Sequence, residues 1–391
     1  MKVAPLTYYS LAAVIDIAGS SGAAMLAPFF MKEQGYSTAL AGMPLVVNGI
    51  GRVSSDLMSG VLASYFSSGA LLVAATSLAL FTSAVAIFFL DTMPVFFAAW
   101  AVLGLTEAMF ALSIRKIAFD DAAPEQHGRA QGQVASALGI GFALGPLAGG
   151  LVGRMFGPGG LFALYALPQF IGLMLIVLGG AHRSRKISEE KSVQLWREGR
   201  DLLRRPWFLA SCLAIFQSFF FLVGVTRVAF PFLAANRRGL TLDWVGTMVS
   251  ASRLADTFGR YTGGHLCDHI TAARVIVLGV LMGIPMFVLQ VHGTGTLTLV
   301  LPLSIMTMGF GFTNVGATTF ALQSAGASAK GISLGLTRAS TSVGQTLGPL
   351  AAGILLEQLG YEQAFYAMAA ISLGVLVMVW AGLRVKRVEH G

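Results

Sequence analysis

The stretch Gly132–Gly150, GQVASALGIGFALGPLAGG, decides how the rest of the chain is read. Gly141, Gly145 and Gly149 recur every fourth residue, so on a helix they line one face and let a neighbouring backbone come close. Pro146 cannot donate to the carbonyl of Phe142 and predicts a bend there. The pattern returns 203 residues later as GLTRASTSVGQTLGPLAAG, Gly335–Gly353, with Gly344, Gly348, Pro349 and Gly353 in register and Ala352 in place of one glycine. Nearer the N-terminus, Gly35, Gly42, Gly60 and Leu62 recur 204 residues later as Gly239, Gly246, Gly264 and Leu266. Two copies of one structural unit follow from these fixed offsets.

The composition says what the unit is made of. Of 391 residues, 55% are hydrophobic and 11% charged, against about a quarter charged in soluble domains. A spanning helix takes about 20 apolar residues, and apolar runs bounded by charges, Gly or Pro predict twelve spans. They cover 7–31, 38–63, 69–90, 94–116, 130–153, 161–181, 207–234, 243–266, 272–292, 297–322, 331–356 and 362–383. The expected fold is an all-α membrane protein: a six-helix bundle over 1–181, a polar linker over 182–206 and a second six-helix bundle over 207–391. Six is even, so both copies enter from one side and are parallel repeats about an axis along the membrane normal. The first apolar run is too long for a signal-peptide core and reads as the first span.

Loop charges set the orientation. With both termini cytoplasmic, that face collects seventeen of the 26 Lys and Arg residues, and the opposite face four, Lys32, Arg154, Arg237 and Arg238. The net charge of +8 is thereby a matter of topology rather than of nucleic-acid binding. The linker scatters Val193, Trp196, Leu202 and Leu203 among charges, which predicts a basic amphipathic helix on the inner leaflet. Cys212 and Cys267 sit in apolar runs and offer no disulfide framework or zinc set. His265 and His269, around Cys267 and Asp268, read as structural rather than as a metal site. No cofactor is expected, and the absence of a nucleotide-binding glycine loop argues against direct ATP coupling.

With its spacing complete, the fifth-span pattern resembles the antiporter signature of the major facilitator superfamily, associated with drug:proton antiporters. A second signature of that family, Gly-x-Leu-x-Asp-Arg-x-Gly-Arg, is recognisable after span eight as Gly264-His265-Leu266-Cys267-Asp268-His269 with Arg274 nearby. After span two it has decayed to Gly60-Val61-Leu62-Ala63-Ser64-Tyr65. The resemblance covers the whole chain. It implies that spans one, four, seven and ten line a central cavity, while two, five, eight and eleven form the contacts between halves.

Nine ionisable groups lie within the spans, where each is costly and by default a functional hypothesis. Asp16, Glu107 and Arg227 fall on implied cavity helices. Asp16 and Glu107 are the candidates to carry protons, since a carboxylate in a partly dry cavity suits that role. Arg227 serves either the substrate or, by snorkelling, the headgroups. Phe216, Phe219, Phe220, Phe310 and Asn314 are candidate cavity wall. Arg52, Asp56, Arg253, Asp256, Arg260 and Arg338 belong to the implied contact helices. Arg52–Asp56 and Asp256–Arg260, each four apart, can pair on their own helix; alternatively Asp56 reaches Arg338 in one conformation. The faces of Gly141, Gly145, Pro146, Gly149, Gly344, Gly348 and Pro349 are the expected rocking surface between halves.

The expected function is secondary transport by alternating access, proton-coupled and exporting a small amphiphilic or charged molecule. An importer or symporter, and a non-transporting receptor or lipid-handling protein, are the alternatives. The expected partners are a small-molecule substrate, protons and membrane lipids, with no nucleic acid. The chain is expected to be monomeric in a bacterial inner or plasma membrane.

Overall fold

A bilayer core has no water to take up backbone N–H and C=O groups, so a chain of this composition must close its hydrogen bonds within each span. The computed structural model describes residues 5–90, 92–120, 127–180, 200–325 and 330–388, and the side chains of all of these except 5–6, 56–65, 119–120, 127–132, 330–331 and 385–388. Every regular element among the described residues is helical. Ten helices run α1 Pro5–Glu33, α2 Met43–Tyr65, α3 Ser68–Phe88, α4 Met93–Asp120, α5 His127–Phe156, α6 Leu161–Leu178, α7 Pro206–Arg237, α8 Leu242–His269, α9 Ala272–His292 and α10 Thr296–Ser324. A last helical stretch, Lys330–Val388, breaks at Gly360 (φ 72°) into α11, 330–359, and α12, 361–388. The twelve expected spans are thus found in order, in an integral multi-pass membrane protein.

The duplication shows in the turns. Gly35 after α1 and Gly239 after α7 take φ of 81° and 67°; Gly157 after α5 and Gly360 after α11 take 71° and 72°. These left-handed turns favour a residue without Cβ, and the copies stand 204 and 203 residues apart.

Two features depart from the expected pattern. The seventh helix runs to Arg237, because π-helical turns at Val225–Ala229 and Leu233–Arg237 interrupt its α-geometry. The amphipathic helix expected in the linker lies outside the described residues except for 200–205. There, Leu202 is buried against Trp207, Phe208 and Ala321.

The chain divides into two compact units: Met1–Ser37, Ala41–Glu189 and Leu240–Ser250 form one, and Thr38–Leu40, Glu190–Gly239 and Ala251–Gly391 the other. In the first, α5 packs on α1 through the glycine stripe. A Cβ at Gly141 would lie 2.8 Å from Ile17 Cβ, one at Gly145 2.5 Å from Ser21 Cβ and one at Gly149 2.6 Å from the Gly22 carbonyl. In the second unit, a Cβ at Gly344 would meet the Phe216 carbonyl at 2.5 Å and one at Gly348 the Phe220 carbonyl at 2.1 Å. Each stripe joins two helices of the same unit, α5 to α1 and α11 to α7. A stripe of small residues specifies a close backbone neighbour without saying which one.

Gly150, beside the stripe, does turn to another element: a Cβ there would come 2.5 Å from the Leu242 carbonyl, within the first unit. The Pro146 carbonyl likewise faces Gly246, whose Cβ would lie 2.3 Å away. Arg154 Nη1 closes this contact on Asp243 at 2.6 Å. The second unit repeats it: a Cβ at Gly353 would lie 2.6 Å from the Thr38 carbonyl, and the Ala39 N–H donates to Glu357 at 2.6 Å.

Candidate functional site

In the first unit, four helices converge on a small polar pocket among apolar side chains. Asp16 of α1, Glu107 and Thr106 of α4, Gln169 and Tyr165 of α6 and Thr76 of α3 line it. Its free volume, about 10 Å3, holds one water at most. Asp16 is 2% exposed and Glu107 9%. The Gln169 amide donates to Asp16 Oδ1, whereas Asp16 Oδ2 and Gln169 Oε1 are buried without a donor among the described residues. Two acceptors without a donor at one contact are costly in a dry interior, and either a proton on the carboxyl or a water in the pocket would supply one.

Glu107 takes a different partner. Arg52 Nη1 of α2 donates to Glu107 Oε1 at 3.1 Å. The close approach that makes this possible is a glycine contact between α2 and α4, where a Cβ at Gly104 would clash with the Asn48 backbone and one at Gly51 with the Ala101 carbonyl. Arg52 was matched to Asp56 by spacing, but its described ion pair is with α4; the Asp56 side chain lies outside the described residues. Gln169 and Tyr165 were missed from sequence. A neutral polar residue in an apolar span carries little warning, although Gln169 next to Pro168 is a polar break in α6.

In the second unit the charges gather on α7 and α8. Arg260 grips Asp256 through Nε at 3.2 Å to both carboxylate oxygens and through Nη2 at 3.0 Å to Oδ2, the pair that their spacing predicts. Its guanidinium carbon lies 5.5 Å from the ring centre of Phe219. Arg253, 7% exposed, donates from Nη2 to Thr226 Oγ1 at 2.8 Å, and its Nε has no partner among the described residues. The Thr226 hydroxyl itself donates to the Leu222 carbonyl, so it is free to accept. Thr226 and Arg227 both stand in the first π turn. Arg227 is ten residues short of the end of α7.

The remaining candidates scatter. Phe216 and Phe220 pack on each other, ring centres 5.4 Å apart, beside the α11 glycines. Phe310 is 3% exposed and packs towards Gly283 of α9. Asn314 is half-buried on α10, and Arg338 is exposed on α11. Among the described residues no group of three or more His, Cys, Asp or Glu side chains could hold a metal ion.

The sequence profile of the Major Facilitator Superfamily matches residues 9–339. Multidrug resistance protein 2 of Bacillus subtilis is 22% identical over 361 residues, 90% of this chain and 89% of that protein. An uncharacterized MFS-type transporter of Methanocaldococcus jannaschii is 23% identical over 64% of this chain; the match spans 65% of that protein, just under two thirds of its length. The crystal structure of a bacterial homologue of the human lysosomal transporter Spinster, inward-facing and unoccupied, superposes with a TM-score of 0.80 at 12% identity, covering 97% of this chain and 96% of that one.

Proposed function

The chain belongs to the Major Facilitator Superfamily and is a membrane transporter rather than an enzyme; from that footing we propose that it is a proton-coupled exporter of a small amphiphilic or charged molecule, working by alternating access. The observation that carries this reading is the Asp16 pocket of the first unit. A carboxyl group buried with one orphan oxygen, facing an orphan amide oxygen, is satisfied by gaining a proton and disturbed by losing it. Arg52 gives the neighbouring Glu107 a counter-charge of its own, so Asp16 is the member of the pair left to exchange. Gln169 is the positioning residue that holds it.

Export, rather than uptake, draws on the fifth-helix pattern Gly132–Gly150 and on the likeness to a protein named for multidrug resistance. The loop-charge distribution supports cytoplasmic termini in a plasma membrane. Gradient-driven flux of candidate compounds in reconstituted vesicles tests the reading. Asp16→Asn is expected to abolish flux driven by a proton gradient while leaving exchange down a solute gradient. Full gradient-driven flux in both Asp16→Asn and Glu107→Gln removes this pocket from the mechanism.

A further inference from the structure

The second unit holds a charge imbalance that the proton pocket does not use. Arg227, Asp256 and Arg260 all lie within electrostatic reach of the Arg253 guanidinium. Among the described residues that neighbourhood holds three cations and one carboxylate, and Arg260 already occupies the carboxylate through three contacts. Arg253 is left with a neutral hydroxyl and an unpartnered Nε while being 93% buried, the complement of its 7% exposure. A buried charge in a membrane span is ordinarily paired or lines a polar pathway. The π turn Val225–Ala229 widens the backbone where Thr226 and Arg227 stand, a distortion common at functional sites.

We propose that α7 and α8 of the second unit form a binding site for the carboxylate or sulfonate of a small organic anion, held by Arg253 and Arg260 with Arg227 beside them. The proposal rests on the transport reading above and names the charge class of its substrate. Arginine's planar fork matches such groups in two-point geometry, and Nε of Arg253 is the donor not yet used. Arg260 is the accessible member of the cluster, its side chain 36% exposed. Phe219, buried under the Arg260 guanidinium, holds that side chain in place by a cation–π contact. The same chemistry would also suit the phosphate of an anionic lipid, so the test separates the two.

Purified full-length protein in neutral detergent is melted against benzoate, benzamide and benzylamine, which match in size and differ in charge, and against micelles doped with phosphatidylglycerol. Benzoate is expected to raise the melting temperature in a saturable way that benzamide and benzylamine do not reproduce. Arg253→Gln is expected to weaken benzoate at least tenfold, with partial rescue by Arg253→Lys; Arg260→Gln serves if Arg253→Gln does not fold. No shift with benzoate, equal shifts with all three compounds, or an unchanged shift in both glutamine variants overturns the site. A shift with phosphatidylglycerol alone assigns the cluster to a lipid headgroup and overturns the solute proposal. Benzoate binding persists in Asp16→Asn if the anion site stands, whatever becomes of proton coupling.

Discussion

In the first unit, α6 meets α1 through Gln169 and Asp16; in the second, Ser372, standing 203 residues after Gln169, meets Gln217 of α7. The two helix pairs meet through an ionisable group in one copy and neutral ones in the other, Gln217 standing three residues before Phe220, the position that repeats Asp16 at an offset of 204. Arg52 and Asp56 correspond at an offset of 204 to Asp256 and Arg260, with the signs exchanged, and Gly311 stands where Glu107 would repeat. Meanwhile the turn glycines and the two stripes keep their register. Duplication has preserved what lets backbones touch and has let the charges diverge, giving a first unit whose described pocket is acidic and a second whose described cluster is basic. Packing constrains a glycine through sub-ångström distances, whereas an ionisable side chain needs only a partner, which either helix can supply.

The comparison breaks first at Asp16. Because Ser372 and Gln217 offer no titratable group, Asp16→Asn should eliminate gradient-driven flux, while Gln217→Leu should change stability and leave proton coupling intact. Flux assays under a pH gradient distinguish the two.

The next largest effect concerns Arg52 and Glu107. Removing one partner of a largely buried pair leaves the other unpaired at a cost of about 3 to 5 kcal/mol. Glu107→Gln and Arg52→Gln should each lower the melting temperature strongly, and the double variant should recover most of the loss. Strict additivity in that cycle would remove the pair from the account.

The stripes give a smaller effect. Gly348→Ala places a Cβ against the Phe220 carbonyl, and Gly145→Ala one against Ser21; each should cost about 1 to 3 kcal/mol by overpacking. Gly172→Ala, whose nearest neighbour would lie 4.0 Å away, should be close to neutral. Smallest of all is Arg154→Ala: its side chain is 65% exposed, and an exposed ion pair contributes little, so thermal melts should barely respond.

Much of this was legible before any coordinates. Apolar runs of helical length mark the spans, and the Gly-Pro spacing marks the duplication, because both follow from local demands of backbone and bilayer. Asp16 and Glu107 stood out because a charge in an apolar run is rare. The partner of Arg52 was not legible: Asp56 at four residues' distance is a sufficient local answer, and only the packing of α2 on α4 brings Glu107 into reach. Gln169 was missed because an amide in a span is cheap enough to be unremarked. The π turns of α7 carry no compositional mark, yet they set where Thr226 meets Arg253.

The central claim is that Asp16 carries a proton, and difference infrared spectroscopy of the protonated-carboxyl band tests it without knowledge of the substrate. The purified protein is titrated through acid and neutral pH as wild type, Asp16→Asn, Glu107→Gln and Gln169→Leu. If Asp16 carries the proton, a pH-dependent carboxyl band is absent in Asp16→Asn, retained in Glu107→Gln and moved in frequency in Gln169→Leu. A band that survives unchanged in Asp16→Asn would contradict it.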